Sequence, residues 1–328
     1  MPDSLRFSLI SPVFKRPEEV EEFLQSIALL EYNSFELIIG DGTPDDQLRH
    51  LREAYQNTAK YELKWIFEEY LPVSDARNRA AEVAVGEYFI FLDSDCIIPP
   101  NYLNEIDSFL KKKPLDLFGG PDAAAEDFTT LQKAISFSMT SFITTGGIRG
   151  GKKTLTTYHP RGFNMGISNA AFKQVKGYDE SLKCGEDVDL SIRLLEAGFQ
   201  SGLIPDAFVY HKRRTSLKKY FNQVFRFGAA RIDLAKRHKG QLKLTHLFPL
   251  IFLLGSVVSI LSLPWFPILF YLLITYTFAV YVFAFLDTGS LQVSVFSVIT
   301  TYTMFFGYGW GMLKNGISNL IRKKSIRL

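Results

Sequence analysis

Asp93-Ser94-Asp95 closes the apolar run Tyr88–Leu92 (YFIFL). Side chains two residues apart on an extended backbone project to one side, so both carboxylates are expected to face one ligand. Mg²⁺ and Mn²⁺ take oxygen ligands, and one or two protein carboxylates plus substrate phosphates complete such a site. Asp41 ends another apolar run, in IIGDG; taken alone it reads equally as the start of a loop. Glu186-Asp187 opens GEDVDLSIRLLEAGF. Acidic residues there satisfy the free N–H groups and dipole of a helix start, or one of them takes a proton from a hydroxyl as a general base. His211 follows the apolar FVY and reads either as a structural residue or as a further metal ligand. Cys96 and Cys184 flank the acidic motifs, and burial as small hydrophobes is their default.

The elements that must hold these residues alternate short apolar runs with helical periodicity, the pattern of a mostly parallel sheet flanked by helices. Phe7–Ser11 and Phe35–Ile39 read as strands, and Tyr88–Leu92, apolar on both faces, as a central parallel one. Pro17 opens a helix whose Val20, Phe23, Leu24, Ile27 and Leu30 share a face. Ser74 or Asp75 is expected to cap a helix running through Val85 to Gly86. A helix near Asn101–Lys113 and a strand near Leu115–Gly119 follow. In open α/β sheets the ligand crevice lies outside the carboxyl ends of the strands, where Asp41, Asp93 and Asp95 fall. The Gly-rich, basic GGIRGGKK reads as a mobile lid over a phosphate-bearing ligand or as an ordinary connection.

The whole chain divides sharply. Lys and Arg total 37 against 34 Asp and Glu in 328 residues, but their placement is uneven. Between Leu247 and Leu286, and again from Leu291 to Leu313, no charged residue or histidine occurs. Uncharged apolar stretches near ~20 residues can cross a bilayer as helices. Lys and Arg crowd the stretch before them, Lys212 to Lys243, as cytoplasmic juxtamembrane segments do; nucleic acid is not an expected partner. Thr215 to Lys239 reads as a basic amphipathic helix, with Leu217, Phe221, Val224, Phe225, Ile232 and Ala235 on its apolar side. It suits a membrane interface or packing against the preceding domain. Three full crossings would put the basic tail outside, so Leu247–Leu263 is expected to be re-entrant or interfacial, with Ile268–Leu286 and Leu291–Leu313 as a hairpin. No leader is expected, because the first apolar run, Phe7–Ile10, is short and stops at Pro12. Two cysteines give no disulfide framework and suit a reducing compartment. The expected organisation is a catalytic domain over 1–212, an amphipathic linker over 213–243, membrane helices over 244–313 and a basic tail over 314–328, at the inner membrane with the catalytic domain cytoplasmic.

Taken in order, these segments resemble the family 2 glycosyltransferases of the GT-A fold over about residues 5–230. SLISPVFKRPEEVEEFLQSI resembles that family's first strand and helix, and FELIIGDGTPDD its nucleotide-contact segment. Gly40 stands where the family usually has a first acidic residue, so only Asp41 carries over as a base contact. SDARNRAAEVAVGEYFIFLDSD is similar to the segment in which an Arg-Asn pair precedes the strand and D-x-D. The likeness implies Arg77 as a nucleotide contact, Asp95 as the principal metal ligand, for Mg²⁺ or Mn²⁺, and Asp93 nearer the ribose. GFNMGISNAAFKQVKGYDESLKCGEDVDLSIRL resembles the acceptor-side segment, with Asp187 as catalytic base and Glu186, Asn164 and Met165 on the acceptor side. His211 matches a position near the metal or diphosphate. Gln223 to Phe227, with Arg226, resembles the Gln-x-x-Arg-Trp motif of processive members, but Phe replaces Trp, which argues against polymerisation.

The resemblance implies inverting transfer from a UDP- or GDP-sugar to a membrane lipid or lipid-linked glycan. A polyprenyl-phosphate acceptor is the nearest rival. A nucleotidyltransferase needs a Gly-rich loop after the first strand, which SPVFKRPEE lacks. A non-catalytic scaffold predicts missing carboxylates, yet Asp95 and Asp187 are present.

Overall fold

The computed structural model describes residues 6–123, 128–146 and 158–325. The chain forms two compact units, Met1–Ala125 with Ile148–Lys212, and Glu126–Gly147 with Arg213–Leu328. The expected 1–212 domain therefore gives up its middle segment to the second unit.

The first unit begins with β1 (Phe7–Val13), α1 (Pro17–Ala28), β2 (Phe35–Asp41), α2 (Arg49–Thr58), β3 (Glu62–Phe67), α3 (Val73–Glu82) and β4 (Tyr88–Leu92). β5 (Cys96–Ile97), α4 (Tyr102–Lys112), β6 (Leu117–Gly119) and β7 (Asp122–Ala123) follow. The chain then supplies α5 (Thr130–Thr140) and α6 (Phe142–Thr145) to the second unit. It returns with β8 (Asn164–Ser168), α7 (Asn169–Gln174), α8 (Glu186–Glu196), β9 (Ser201–Leu203) and β10 (Val209–His211).

The main sheet runs β3-β2-β1-β4-β8-β6-β9. β1 to β4 are mutually parallel, and β8 lies antiparallel between β4 and β6. The expected mostly parallel α/β sheet is present, with β8 as an antiparallel member that was not foreseen. Period-2 alternation within β4 explains why YFIFL is apolar throughout: Ile90 and Leu92 enter the core with α1 and α4, while Phe89 and Phe91 enter the opposite one with α3 and α7. A smaller sheet, β5-β10-β7, pairs His211 antiparallel with Cys96 and Val209 in parallel with Asp122.

Two local expectations differ. α3 starts at Val73 with Pro72 before it and no side-chain cap, and it stops at Glu82 rather than Val85. The last residues are drawn into a buried polar cluster instead: Val85 N donates to Glu36 Oε1 (2.7 Å), Gly86 N to Ser8 Oγ (2.8 Å), and Lys64 Nζ to Glu36 Oε2 (2.6 Å). Gly40, the departure from the family pattern, faces α3, where a Cβ would lie 2.8 Å from the Ala76 carbonyl oxygen.

The second unit adds α9 (Leu217–Arg237), α10 (Leu244–Leu261), α11 (Pro267–Thr288) and α12 (Leu291–Ser325). Ile135 and Met139 of α5, Tyr220 and Val224 of α9, and Met304 and Phe305 of α12 share one core. Ser138 Oγ lies 2.6 Å from Thr300 Oγ1 and 3.0 Å from Thr301 Oγ1. The buried stripe of α9 is Tyr220, Val224, Gly228, Ala230 and Leu234, so the expected face is rotated and packs within this helical unit. Gly228 permits the approach: a Cβ there would sit 2.0 Å from the Tyr308 carbonyl oxygen. Among the described residues, the helices long and apolar enough to cross a membrane are Leu244–Leu261 and Pro267–Thr288. The stretches expected as a hairpin, Ile268–Leu286 and Leu291–Leu313, fall in α11 and α12, and the one expected to be re-entrant, Leu247–Leu263, falls largely in α10. α12 buries Ser294, Ser297, Thr300 and Thr301.

Candidate active site

The carboxyl edge of the main sheet carries unusual backbone. Lys15 and Arg16 after β1, Asp45 and Asp46 after β2, and Tyr70 after β3 all have φ between 46° and 61°. Left-handed non-glycine residues cost about 1–3 kcal/mol each and concentrate at ligand-binding loops. Asp41 closes β2 at this edge. Its Oδ2 accepts from Trp65 Nε1 (3.0 Å) and its Oδ1 from Thr43 N (2.9 Å), and the residue is fully buried. As placed, it braces β3 and the loop after β2.

Asp93 and Asp95 diverge. The backbone turns rather than extends after β4, with Cys96 N donating to Asp93 O at 3.1 Å, so the two carboxylates meet different partners. Asp93 Oδ1 accepts from Arg77 Nη2 at 2.8 Å. Asp95 Oδ1 lies 3.2 Å from His211 Nε2, and its Oδ2 lies 3.5 Å from Arg16 Nη1. The pairing of β10 with β5 sets this up, because Lys212 N also donates to Asp95 O (3.0 Å). Phe163 stacks on the His211 ring at 4.7 Å, and Asp122 Oδ2 stands 3.8 Å from His211 Nδ1. A carboxylate and an imidazole with a second carboxylate behind the ring suit a divalent ion such as Mn²⁺. Asp95 and His211 are the residues that could hold one.

Arg77, on α3, is 2 % exposed. Its Nη1 donates to Glu186 Oε1 (3.0 Å), and its guanidinium lies 5.2 Å from the centre of the Tyr178 ring. The side chain thus bridges the D-x-D turn to the N-terminus of α8. Burial pushes the Glu186 carboxyl above its ordinary value; Asp187 adds to this and Arg77 opposes it. Burial likewise raises the Tyr178 hydroxyl against the pull of Arg77, which keeps it a neutral phenol. Asp187 Oδ2 accepts from Gly162 N at 3.1 Å. Gly162 is wedged here: a Cβ would lie 2.7 Å from Arg77 Nη2.

Asn164 and Met165 face inward. Asn164 Oδ1 accepts from Tyr102 OH (2.6 Å) and its Nδ2 donates to Ala207 O (2.9 Å), while Met165 is fully buried. Gln223, half-buried, and Arg226, exposed, lie on α9 in the second unit. Most of GGIRGGKK, residues 147–153, is outside the described residues. Sequence reasoning missed Arg16, Trp65, Asp122, Gly162, Phe163 and Tyr178. The one local signal was Gly162, a glycine before an apolar strand.

The glycosyl transferase family 2 model matches residues 8–175. The chain belongs to that family. Succinoglycan biosynthesis protein ExoA of Rhizobium meliloti is 25% identical over 251 residues, 74% of each chain. A Methanococcus voltae dolichyl N-acetyl-α-D-glucosaminyl phosphate 3-β-D-2,3-diacetamido-2,3-dideoxy-β-D-glucuronosyltransferase is 23% identical over 269 residues, 76% of this chain and 80% of its own. Among solved structures, the mannosyltransferase PcManGT of Pyrobaculum calidifontis, in complex with GDP-Man and Mn²⁺, aligns with a TM-score of 0.61 at 15% identity, covering 94% of this chain and 86% of that one. That likeness is one of fold. In this family 2 glycosyltransferase the fold brings Asp41, Asp93 and Asp95 to the carboxyl edge of the main sheet.

Proposed function

We propose that this glycosyltransferase moves a sugar, with inversion, from a UDP- or GDP-sugar to a hydroxyl of a lipid-linked glycan at the cytoplasmic face of a membrane. The observation carrying the reading is the Arg77 bridge. One guanidinium ties Asp93, beside the Asp95–His211 pair, to the helix start that bears Asp187. This contact supports a reading in which a donor half and an acceptor half adjoin.

Asp95 and His211 would hold Mg²⁺ or Mn²⁺, and the ion would supply positive charge for the departing diphosphate. Asp93 lies toward the ribose and the left-handed loops after β1 to β3 toward the nucleotide, with Asp41 and Trp65 shaping the base end. Asp187, held by the Gly162 amide, takes the proton of the acceptor hydroxyl as it attacks the anomeric carbon. Arg77 serves this through Asp93 and Glu186, because its own guanidinium is buried. The acceptor class rests on two supports. α10 and α11 expose Ile251, Leu254, Val258, Leu272 and Phe278 among other apolar residues, as lipid-facing helices do. The two relatives are named for succinoglycan biosynthesis and for transfer to a dolichyl-phosphate-linked sugar.

Transfer of labelled sugar into a membrane lipid extract, by wild type and Asp187→Asn, tests this reading. A hydroxyl acceptor predicts a loss of about 10²–10⁴-fold, the usual contribution of a positioned base. Undiminished transfer in Asp187→Asn would instead mean an acceptor that is already anionic, such as polyprenyl phosphate.

A further inference from the structure

Cys96 has no part in the mechanism above, yet it sits at its centre. One donor atom each from Asp95, Cys96 and His211 lie within 4.8 Å of one another, and all three residues are buried. We propose that Asp95, Cys96 and His211 form a site for a thiophilic divalent cation, Zn²⁺ above all, overlapping the Mg²⁺ or Mn²⁺ position.

Two of the three ligand atoms already stand at the separation zinc imposes. Zinc bound to oxygen and imidazole nitrogen at about 2.0 Å in a tetrahedron separates those two atoms by about 3.3 Å. Asp95 Oδ1 and His211 Nε2 are 3.2 Å apart. The antiparallel register sets Cys96 directly opposite His211, so the thiol is fixed beside the imidazole by backbone pairing. The Cys96 thiol donates to the Phe163 carbonyl at 3.7 Å, a weak bond that a modest side-chain rotation gives up. Asp122 Oδ2, 3.8 Å from His211 Nδ1, is placed to orient the ring as outer carboxylates do for zinc-bound histidines.

Ligand chemistry makes the site selective. Mg²⁺ and Mn²⁺ favour oxygen ligands, whereas a thiolate favours zinc. Zinc would take Asp95, His211 and the Cys96 thiolate, releasing the thiol proton and leaving one open position in a tetrahedral shell. The proposal shares Asp95 and His211 with the cofactor reading above, and the experiment separates the two.

Full-length protein in detergent is titrated with Co²⁺, the spectroscopic substitute for zinc, and then with Zn²⁺. Wild type and Cys184→Ser should develop a near-ultraviolet thiolate-to-cobalt charge-transfer band that zinc bleaches. Cys96→Ser and Cys96→Ala should both lack it while keeping the wild-type near-ultraviolet circular dichroism. Asp122→Asn should keep the band with affinity lowered about 10–100-fold. No band in wild type, or an undiminished band in either Cys96 variant, overturns the proposal. Mn²⁺ binding in the presence of nucleoside diphosphate, read by electron paramagnetic resonance, should be alike in wild type and Cys96→Ser. A cobalt band in a wild type that binds no Mn²⁺ would uphold the zinc site and overturn the cofactor reading.

Discussion

At the scale of single residues the site is organised around one buried cation. Arg77 meets Asp93 and Glu186 from opposite ends of its guanidinium, a forked geometry that lysine does not reproduce. Arg77→Lys is expected to lower turnover about 10²-fold, as small misplacements of reacting groups do, while nucleotide affinity stays near wild type. A parallel loss of affinity would make Arg77 a direct nucleotide contact. Gly162→Ala displaces the same guanidinium and should resemble Arg77→Lys in kinetics with the fold retained; wild-type kinetics would contradict the wedge. Glu186 makes a prediction about pH. Its folded pKa is raised above the ordinary 4.5, so its contribution to stability is complete below the unfolded value and lost as pH rises through the folded one. Glu186→Gln should flatten the fall of the thermal midpoint over that window, and an unchanged slope would count against it. The sequence pointed to Asp93 and Asp95 through a strand ending in acid. It could not show that they part company, because the turn after Asp93 and the Arg77 contact depend on chain far away.

At the scale of elements, strands and helices with a strong period were readable, and the differences arise where a distant partner decides. α3 ends early because Glu36 and Ser8, from other strands, take its last amides. α5 was not foreseen at all. Its buried residues Ala134, Ile135, Phe137, Ser138 and Met139 mix apolar and hydroxyl side chains, and their meaning lies in Thr300 and Thr301 of α12. The rotated face of α9 has a similar origin, since Gly228 rather than a large apolar residue marks the contact. Gly228→Ala would force a backbone contact apart and should cost about 1–3 kcal/mol. Gly255→Ala on α10, where nothing lies within 4 Å of the added carbon, should be neutral. Equal thermal midpoints for the two variants in detergent would contradict the close crossing of α9 and α12.

For the whole molecule, the division between units follows packing rather than sequence order. One edge falls between Lys212 and Arg213, where basic chain gives way to α9, but Glu126–Gly147 also belongs to the helical unit. Truncation after Lys212 would strip α5 and α6 of the helices they pack on, exposing Ile135, Phe137 and Met139. Such a fragment should aggregate without detergent, and a monodisperse one would contradict the shared helical core. The apolar stretches and the family pattern were plain in the sequence. Leu247–Leu263 was set aside as re-entrant on the charge of the basic tail, although the helix Leu244–Leu261 is long and apolar enough to cross a membrane. Metal-dependent sugar transfer built on Asp95, His211 and Asp187 is the activity proposed for the whole chain. Its most direct test is nucleoside-diphosphate release by the detergent-purified full chain over a panel of UDP- and GDP-sugars with membrane lipid extract, with and without Mn²⁺ or Mg²⁺. Release is expected to require the metal and to collapse in Asp95→Asn, His211→Ala and Asp187→Asn. Release that proceeds in chelator, or survives in Asp95→Asn and His211→Ala, would contradict it.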